Sequence, residues 1–169
     1  MKCAPGQSGA TLVEVAISLA LLVIALIPAL GSMQATMTAQ QHLSTQEVLE
    51  ERVRRAGEQV AFQLRGAGLE TLQDVPEAPE SSQSIRYRSQ IGFDPATGPS
   101  FGDEMQILFS DGSLRWSSSA FTTVLAQHLT NATFDREGRS VRVRVRADAT
   151  DPKGDRIHVE RTTHVTLEN

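Results

Sequence analysis

Residues 10–31 read ATLVEVAISLALLVIALIPALG, and Glu14 is the only charged residue among them. At about 1.5 Å per residue, a helix over this stretch is roughly 33 Å long, enough to cross a hydrocarbon layer of about 30 Å. Lys2 precedes the stretch, and no Lys or Arg follows it until Arg52. By the positive-inside tendency, we expect a single membrane span with its N-terminus in the cytoplasm and the rest of the chain exported.

Three interpretations of this segment compete. A cleaved secretory signal fits Lys2, the apolar core and the run Ser-Met-Gln-Ala at 32–35, which imitates a cleavage site, and a plain membrane anchor fits the length. Neither explains Glu14, because a carboxylate inside an apolar span costs about 2.5–3.5 kcal/mol and such residues are usually functional. A structural alternative is that Glu14, near the helix end, simply extends its carboxylate to the membrane surface.

The residues leading into the span favour a third interpretation. The run Ser-Gly-Ala-Thr-Leu-Val-Glu at 8–14, followed directly by the apolar block, resembles the prepilin signal of type IV pilins and type II secretion pseudopilins. The resemblance implies that residues 1–9 are a leader removed by prepilin peptidase, which cuts between Gly9 and Ala10 and methylates the new amine of Ala10. It also implies that Glu14 meets the terminal amine of a neighbouring subunit during assembly. Ala10 stands where the family more commonly has Phe.

The same resemblance implies the partners and the location. The expected partners are the prepilin peptidase and N-methyltransferase, other pilins or pseudopilins, an inner-membrane assembly platform, and membrane lipid before assembly. We expect a single-pass protein of the bacterial inner membrane with a periplasmic head, later part of a pilus or pseudopilus. The modest size and the absence of a C-terminal cysteine pair favour a minor pilin or pseudopilin, and both a type IV pilus and a type II secretion pseudopilus fit.

Residues 32–70 are predicted to continue the helix beyond the membrane. They contain no proline and are rich in good helix formers. One apolar stripe recurs at steps of three and four residues: Leu49, Val53, Ala56, Val60, Leu64 and Ala67. The pairs Glu50/Arg54 and Glu51/Arg55 have i,i+4 spacing, and Gly66 and Gly68 mark the end of the helix near residue 68. This stripe predicts a helix packed across a globular head.

Residues 71–169 are predicted to form that head as a small antiparallel sheet. Strand-like runs occur at 85–89, 105–109 and 114–117, and Asp111-Gly112 predicts a tight hairpin turn between the last two. Residues 73–83 and 93–103 are rich in turn-forming residues and predict loops, whereas 121–129 fits strand or helix. Valine alternates with arginine at 141–146, and an apolar partner strand follows at 157–167, which predicts a final hairpin. The expected fold class is α+β and pilin-like, with a long N-terminal transmembrane helix on this sheet.

Catalytic and ligand-binding chemistry is not indicated by the sequence. The net charge of −4 argues against nucleic acid as a partner, and the row Arg142, Arg144 and Arg146 is interpreted as a solvated strand face answered by Glu160 and nearby acids. No nucleophile motif, phosphate loop or dinucleotide fingerprint occurs. The only cysteine is Cys3 and the four histidines have no ligand spacing, so we expect no metal, no cofactor and no enzyme activity. The alternative from another class is an exported or membrane-anchored binding domain with an ordinary signal-anchor.

Overall fold

The computed structural model describes residues 11–167. The long helix α1 spans Leu12–Leu64 and includes Pro28. A 3-10 helix of three residues follows at Leu69–Thr71. Contacts divide the chain after residue 42 into two units, so the first part of α1 belongs to one unit and its last part to the other. In the first unit every described residue up to Thr36 is exposed. The 18-residue window with the highest mean hydropathy, 2.6, has none of its residues buried, so this helix is long and apolar enough to cross a membrane.

In the second unit, α1 is amphipathic and packs on antiparallel β-sheets. Its buried residues are those of the expected stripe together with a glycine: Leu49, Val53, Ala56, Gly57, Val60 and Leu64. They form one core with the inward-facing side chains of the strands. The α+β layout expected for a pilin-like chain is therefore confirmed.

The head contains seven strands in two sheets, where a single sheet was expected. The strands are β1 Ser84–Asp94, β2 Gly98–Ser110, β3 Ser113–Ser117, β4 Thr122–Gln127, β5 Asn131–Glu137, β6 Ser140–Thr150 and β7 Arg156–Thr166. Strands β1 to β4 pair in chain order in one antiparallel sheet, and β5 to β7 do so in the other. Each sheet is thus a meander of neighbouring hairpins.

Two hairpins form where the sequence predicts them. Asp111 and Gly112 join β2 to β3 with φ angles of 49° and 69°, the left-handed conformation that a two-residue hairpin turn requires. In the final hairpin, Val141, Val143 and Val145 are buried because a period of two places them on the core face of β6. The ambiguous segment 121–129 contains strand β4, which pairs with β3.

Two boundaries differ from the predictions. The prediction of a loop at 93–103 is wrong. Strand β1 extends to Asp94 and β2 begins at Gly98, so only a three-residue turn separates them. Strand β3 pairs with β2 only from Gln106 onward, so Pro99 lies where one side of β2 has no strand beside it, a position that tolerates proline. The helix ends at Leu64 instead of near residue 68, and the Gly68 N–H bonds to the Arg88 carbonyl of β1.

The single tryptophan belongs to the core of the first sheet. The Trp116 Nε1–H donates to the buried Tyr87 hydroxyl at 3.1 Å, and its ring meets Phe121 edge-on at 5.2 Å between centroids. Burial raises the pKa of Tyr87 to about 12, because the charged phenolate is disfavoured away from water. Trp116 therefore reports directly on the packing of the head.

Candidate functional site

The expected cleavage residues, Gly9 and Ala10, lie outside the described residues, whereas Glu14 lies inside them. Glu14 occupies the first turn of α1. A carboxylate there is favoured by the partial positive charge of a helix N-terminus. Glu14 therefore lies at the start of the apolar helix and not in its middle.

Thr11 and Glu14 cap the start of α1 reciprocally. The Thr11 backbone N–H donates to Glu14 Oε2 at 3.0 Å, and the Glu14 backbone N–H donates to Thr11 Oγ1 at 3.3 Å. The Thr11 hydroxyl lies 3.3 Å from the same Oε2. This is a capping box, in which two backbone donors that the helix leaves unpaired are satisfied by side chains.

Thr11 is a functional residue that was not predicted from the sequence. The signal was present, because Thr11-Leu12-Val13-Glu14 has the spacing of a capping box ahead of an apolar run. The structure therefore gives Glu14 a local role, fixing where the helix starts, besides any role between subunits.

The large apolar side chains on the first part of α1 are exposed among the residues that the structure describes. The set includes Leu12, Val13, Ile17, Leu21, Leu22, Ile24, Leu26 and Ile27. Exposed apolar surfaces of this extent commonly mark a site of contact with a membrane or with another protein.

The head section of α1 carries a network of ion pairs that differs in part from the expected one. Arg54 bonds Glu51 at 2.8 Å and Glu58 at 2.6 Å, and Arg55 bonds Glu51, as expected. The prediction of a Glu50/Arg54 ion pair is wrong, because Glu50 instead accepts a hydrogen bond from the Gln46 side chain. Hydrogen bonds from Arg54 and then Arg55 lower the pKa of Glu51 to about 2.

A buried carboxylate lies beneath the arginine row of β6. Asp135 of β5 is fully buried, and its Oδ2 accepts bonds from Arg142 Nε at 2.8 Å and Nη2 at 2.6 Å. Its Oδ1 accepts a bond from Arg144 Nη2 at 3.0 Å. The hydrogen bond to Asp135 raises the pKa of Arg142. This arrangement joins β5 to β6 by charge as well as by backbone.

The arginine row is therefore half-buried and paired with nearby acids, the expected Glu160 among them. Arg146 bonds Asp148 at 2.9 Å and lies opposite Glu160 of β7. The Asp148 hydrogen bond, with a smaller contribution from Glu160, raises the pKa of Arg146. Sequence reasoning missed Asp135 because only the register of β5 on β6 places it opposite Arg142. The row leaves little unpaired positive charge to attract an anionic partner.

Among residues 11–167, no group of three or more His, Cys, Asp or Glu side chains is placed to hold a metal ion. The four histidines lie on α1, on the turn after β4 and on β7.

Comparisons with models of known protein families, with curated proteins and with solved structures found no match to this chain.

Proposed function

We propose that this chain is a minor pilin or pseudopilin, a structural subunit that prepilin peptidase processes and that is built into, or primes or caps, a type IV pilus-like filament. The observation that carries the proposal is the position of Glu14. It lies at the first turn of an exposed apolar helix and is separated by only four residues from Gly9. Besides capping the helix locally, an acid at this place is the one that pilin-like subunits use between neighbouring subunits, in the family that residues 8–14 resemble.

The capping box is compatible with the assembly role that the resemblance implies. The bonds from Thr11 to the carboxylate reach Oε2, so Oε1 can accept a bond from a cationic amine without breaking them. Cleavage after Gly9 would create such an amine at Ala10. Because desolvation offsets much of the attraction in a buried ion pair, the pair would set the register between subunits more than it would add stability.

The exposed apolar surface of α1 supports the proposed partners and location. Before assembly this surface would lie in the lipid of the bacterial inner membrane, with the N-terminus cytoplasmic and the head periplasmic. After processing, the assembly platform would bring it against the helices of other pilins or pseudopilins, where close packing replaces contact with lipid. In a type II secretion pseudopilus, α1 would make the same kind of helix contacts as in a type IV pilus.

The competing function is an exported or membrane-anchored binding domain with an ordinary signal-anchor. The two functions make opposite predictions for two substitutions in the native host. For a pilin, Gly9→Val blocks maturation, whereas Glu14→Ala leaves cleavage intact and reduces filament incorporation. For a binding domain, Gly9→Val leaves processing unchanged, and Glu14→Ala does no more than loosen the first turn of the helix, where Glu14 accepts the Thr11 N–H.

Matched controls are available in the same chain. Gly31→Val makes the same change at a helix position with open space around it, and Glu80→Ala removes an exposed acid of the head. The size of the membrane-bound chain measures processing, and the amount of the chain in sheared filaments measures incorporation. The proposal fails if Gly9→Val matures like Gly31→Val and Glu14→Ala assembles like Glu80→Ala.

A further inference from the structure

The outer edge of β4 is an unpaired strand edge. Strand β4 pairs with β3 on one side and is the last strand of its sheet. In the part of the chain that the structure describes, no other backbone hydrogen bond reaches Thr122–Gln127. Such an edge presents a row of free N–H and C=O groups that another strand can satisfy.

The other sheet edges of the head are protected. The edge of β1 is bonded by the segment after α1, with the Gln73 N–H donating to the Arg86 carbonyl at 2.8 Å. The edge of β5 is bonded by the loop before β1, with the Ser82 N–H donating to the Phe134 carbonyl at 2.9 Å. The edge strand β7 carries Arg156, Glu160 and Arg161, and charges of this kind discourage pairing between edges.

Among residues 11–167, strand β4 has neither a bonded segment nor a charge along its outer edge, and its one irregularity is a bulge at Leu125 in its pairing with β3. Its sequence, TTVLAQ, contains no charge and no proline. The uncharged stretch around it runs from Trp116 to Phe134, with His128 counted as neutral. Uncharged strands rich in β-branched residues are those that edge-protecting charges normally interrupt.

A groove runs beside this edge and has room for a strand. It consists of two adjoining cavities of about 550 Å³ and 450 Å³, both lined by Arg55, Gln59 and Leu125. Helix α1 forms one wall and β4 the other. Phe62 on the helix and Val124 on the strand border the groove and are 71% and 45% exposed. An added strand would cover both.

We propose that β4 pairs edge to edge with β4 of a second copy of this chain. An antiparallel pair of identical strands has two-fold symmetry, so each copy gives and receives the same contacts. Because TTVLAQ is uncharged, no register places like charges opposite each other, whereas self-pairing of β7 would bring its arginines together. The bordering charges Glu51 and Arg55 already pair with each other, so the groove adds little net charge to oppose a second copy.

This interface belongs to residues 43–169 and does not depend on how the N-terminus is processed. It is tested with the full-length chain in native membranes, carrying Cys3→Ser to remove the only cysteine. Thr123→Cys then places a single exposed thiol near the centre of β4. In the two-fold pair residue 123 lies opposite residue 126, so the two thiols are about 10 Å apart along the strands, and a short bismaleimide traps the pair. We expect a cross-linked product with twice the mass of the chain.

The matched pair of variants compares two exposed apolar strand residues. Val124→Lys in the Thr123→Cys chain places a charge on β4 of both copies, and Ile91→Lys places the same charge on β1. We expect Val124→Lys to reduce the cross-linked dimer roughly tenfold, because apolar contact is lost and two like charges meet. Ile91→Lys should leave the yield unchanged.

Three outcomes would overturn the proposal. One is a dimer yield no higher than that of an Ile91→Cys chain, which would reflect random collision in the membrane. Another is a dimer that Val124→Lys does not reduce. The third is a cross-linked product whose mass shows a different protein on the edge.

Discussion

Thr11 and Glu14 hold each other at the first turn of α1, each side chain accepting a hydrogen bond from the other residue's backbone N–H. The acid that marks the resemblance to prepilins therefore also defines the start of the helix. Because Thr11 directly follows Ala10, the proposed mature N-terminus would sit one residue before this cap.

Thr11→Ala should loosen the first turn of the helix. It removes the hydroxyl that accepts the Glu14 N–H, and losing an N-cap side chain costs about 1 kcal/mol. We expect the Glu14 amide to exchange with solvent roughly fivefold faster in the detergent-solubilised chain, because 1.4 kcal/mol corresponds to a factor of about ten. Thr11→Ser retains the hydroxyl and serves as the control; equal exchange in the two variants would contradict the capping box.

Gly57→Ala should destabilise the head although alanine is the better helix former. A Cβ atom at residue 57 would lie 2.8 Å from Thr163 Oγ1 of β7, and overpacking of this kind costs about 1–3 kcal/mol. In a Thr163→Ala background the same substitution should instead stabilise by about 0.5–1 kcal/mol, the ordinary gain of Ala over Gly in a helix. Denaturant unfolding followed by Trp116 fluorescence gives both free energies, and a change of the same sign in both backgrounds would contradict this contact.

Asp135→Asn should destabilise the head by about 2 kcal/mol, because it removes the charge that two arginines share and hydrogen bonds to charged groups contribute about 1.5–3 kcal/mol. Asp148→Asn is the matched control. Its pair with Arg146 is partly exposed, so we expect a loss below about 1 kcal/mol. The same unfolding measurement distinguishes the two; similar losses would show that burial of Asp135 adds nothing.

Lowering the pH should weaken the ion pairs that Glu51 forms with Arg54 and Arg55 on α1. The folded-state pKa of about 2 is below the ordinary value of 4.5, so the ionised pairs contribute to stability above pH 4.5. Their contribution is lost as the pH falls from 4.5 towards 2. Arg54→Ala should raise the pKa of Glu51 more than Arg55→Ala does, because the Arg54 hydrogen bond is the larger cause. Carbon NMR titration of the Glu51 carboxyl measures this, and a midpoint near 4.5 in the unmodified chain would contradict it.

Local patterns in the sequence predicted much of the fold. The valines of β6 alternate with a period of two, the stripe of α1 recurs every three or four residues, and Asp111-Gly112 fits one turn geometry. Each of these signals depends on neighbouring residues only. They predicted the helix, the β2–β3 and β6–β7 hairpins and the α+β class.

The remaining features of the fold depend on pairing between residues that are distant in the sequence. Residues 98–103 form strand because they pair with β1, although Pro99 and Gly102 by themselves indicate a loop. Residues 122–127 are strand because β3 lies beside them, and the division into two sheets depends on how all the strands pack. Similarly, Glu14 was found from a local motif, whereas Asp135 required the register of β5 on β6.

The most direct test of the proposed function is the intact mass and N-terminal peptide of the chain recovered from the membranes of its native host. We predict a chain that begins at Ala10, lacks residues 1–9 and carries one methyl group on its terminal amine. A chain beginning near Thr36 would show an ordinary secretory signal, and one retaining Met1 or Lys2 would show a simple anchor. Either result would contradict the proposal that this chain is a pilin-like subunit.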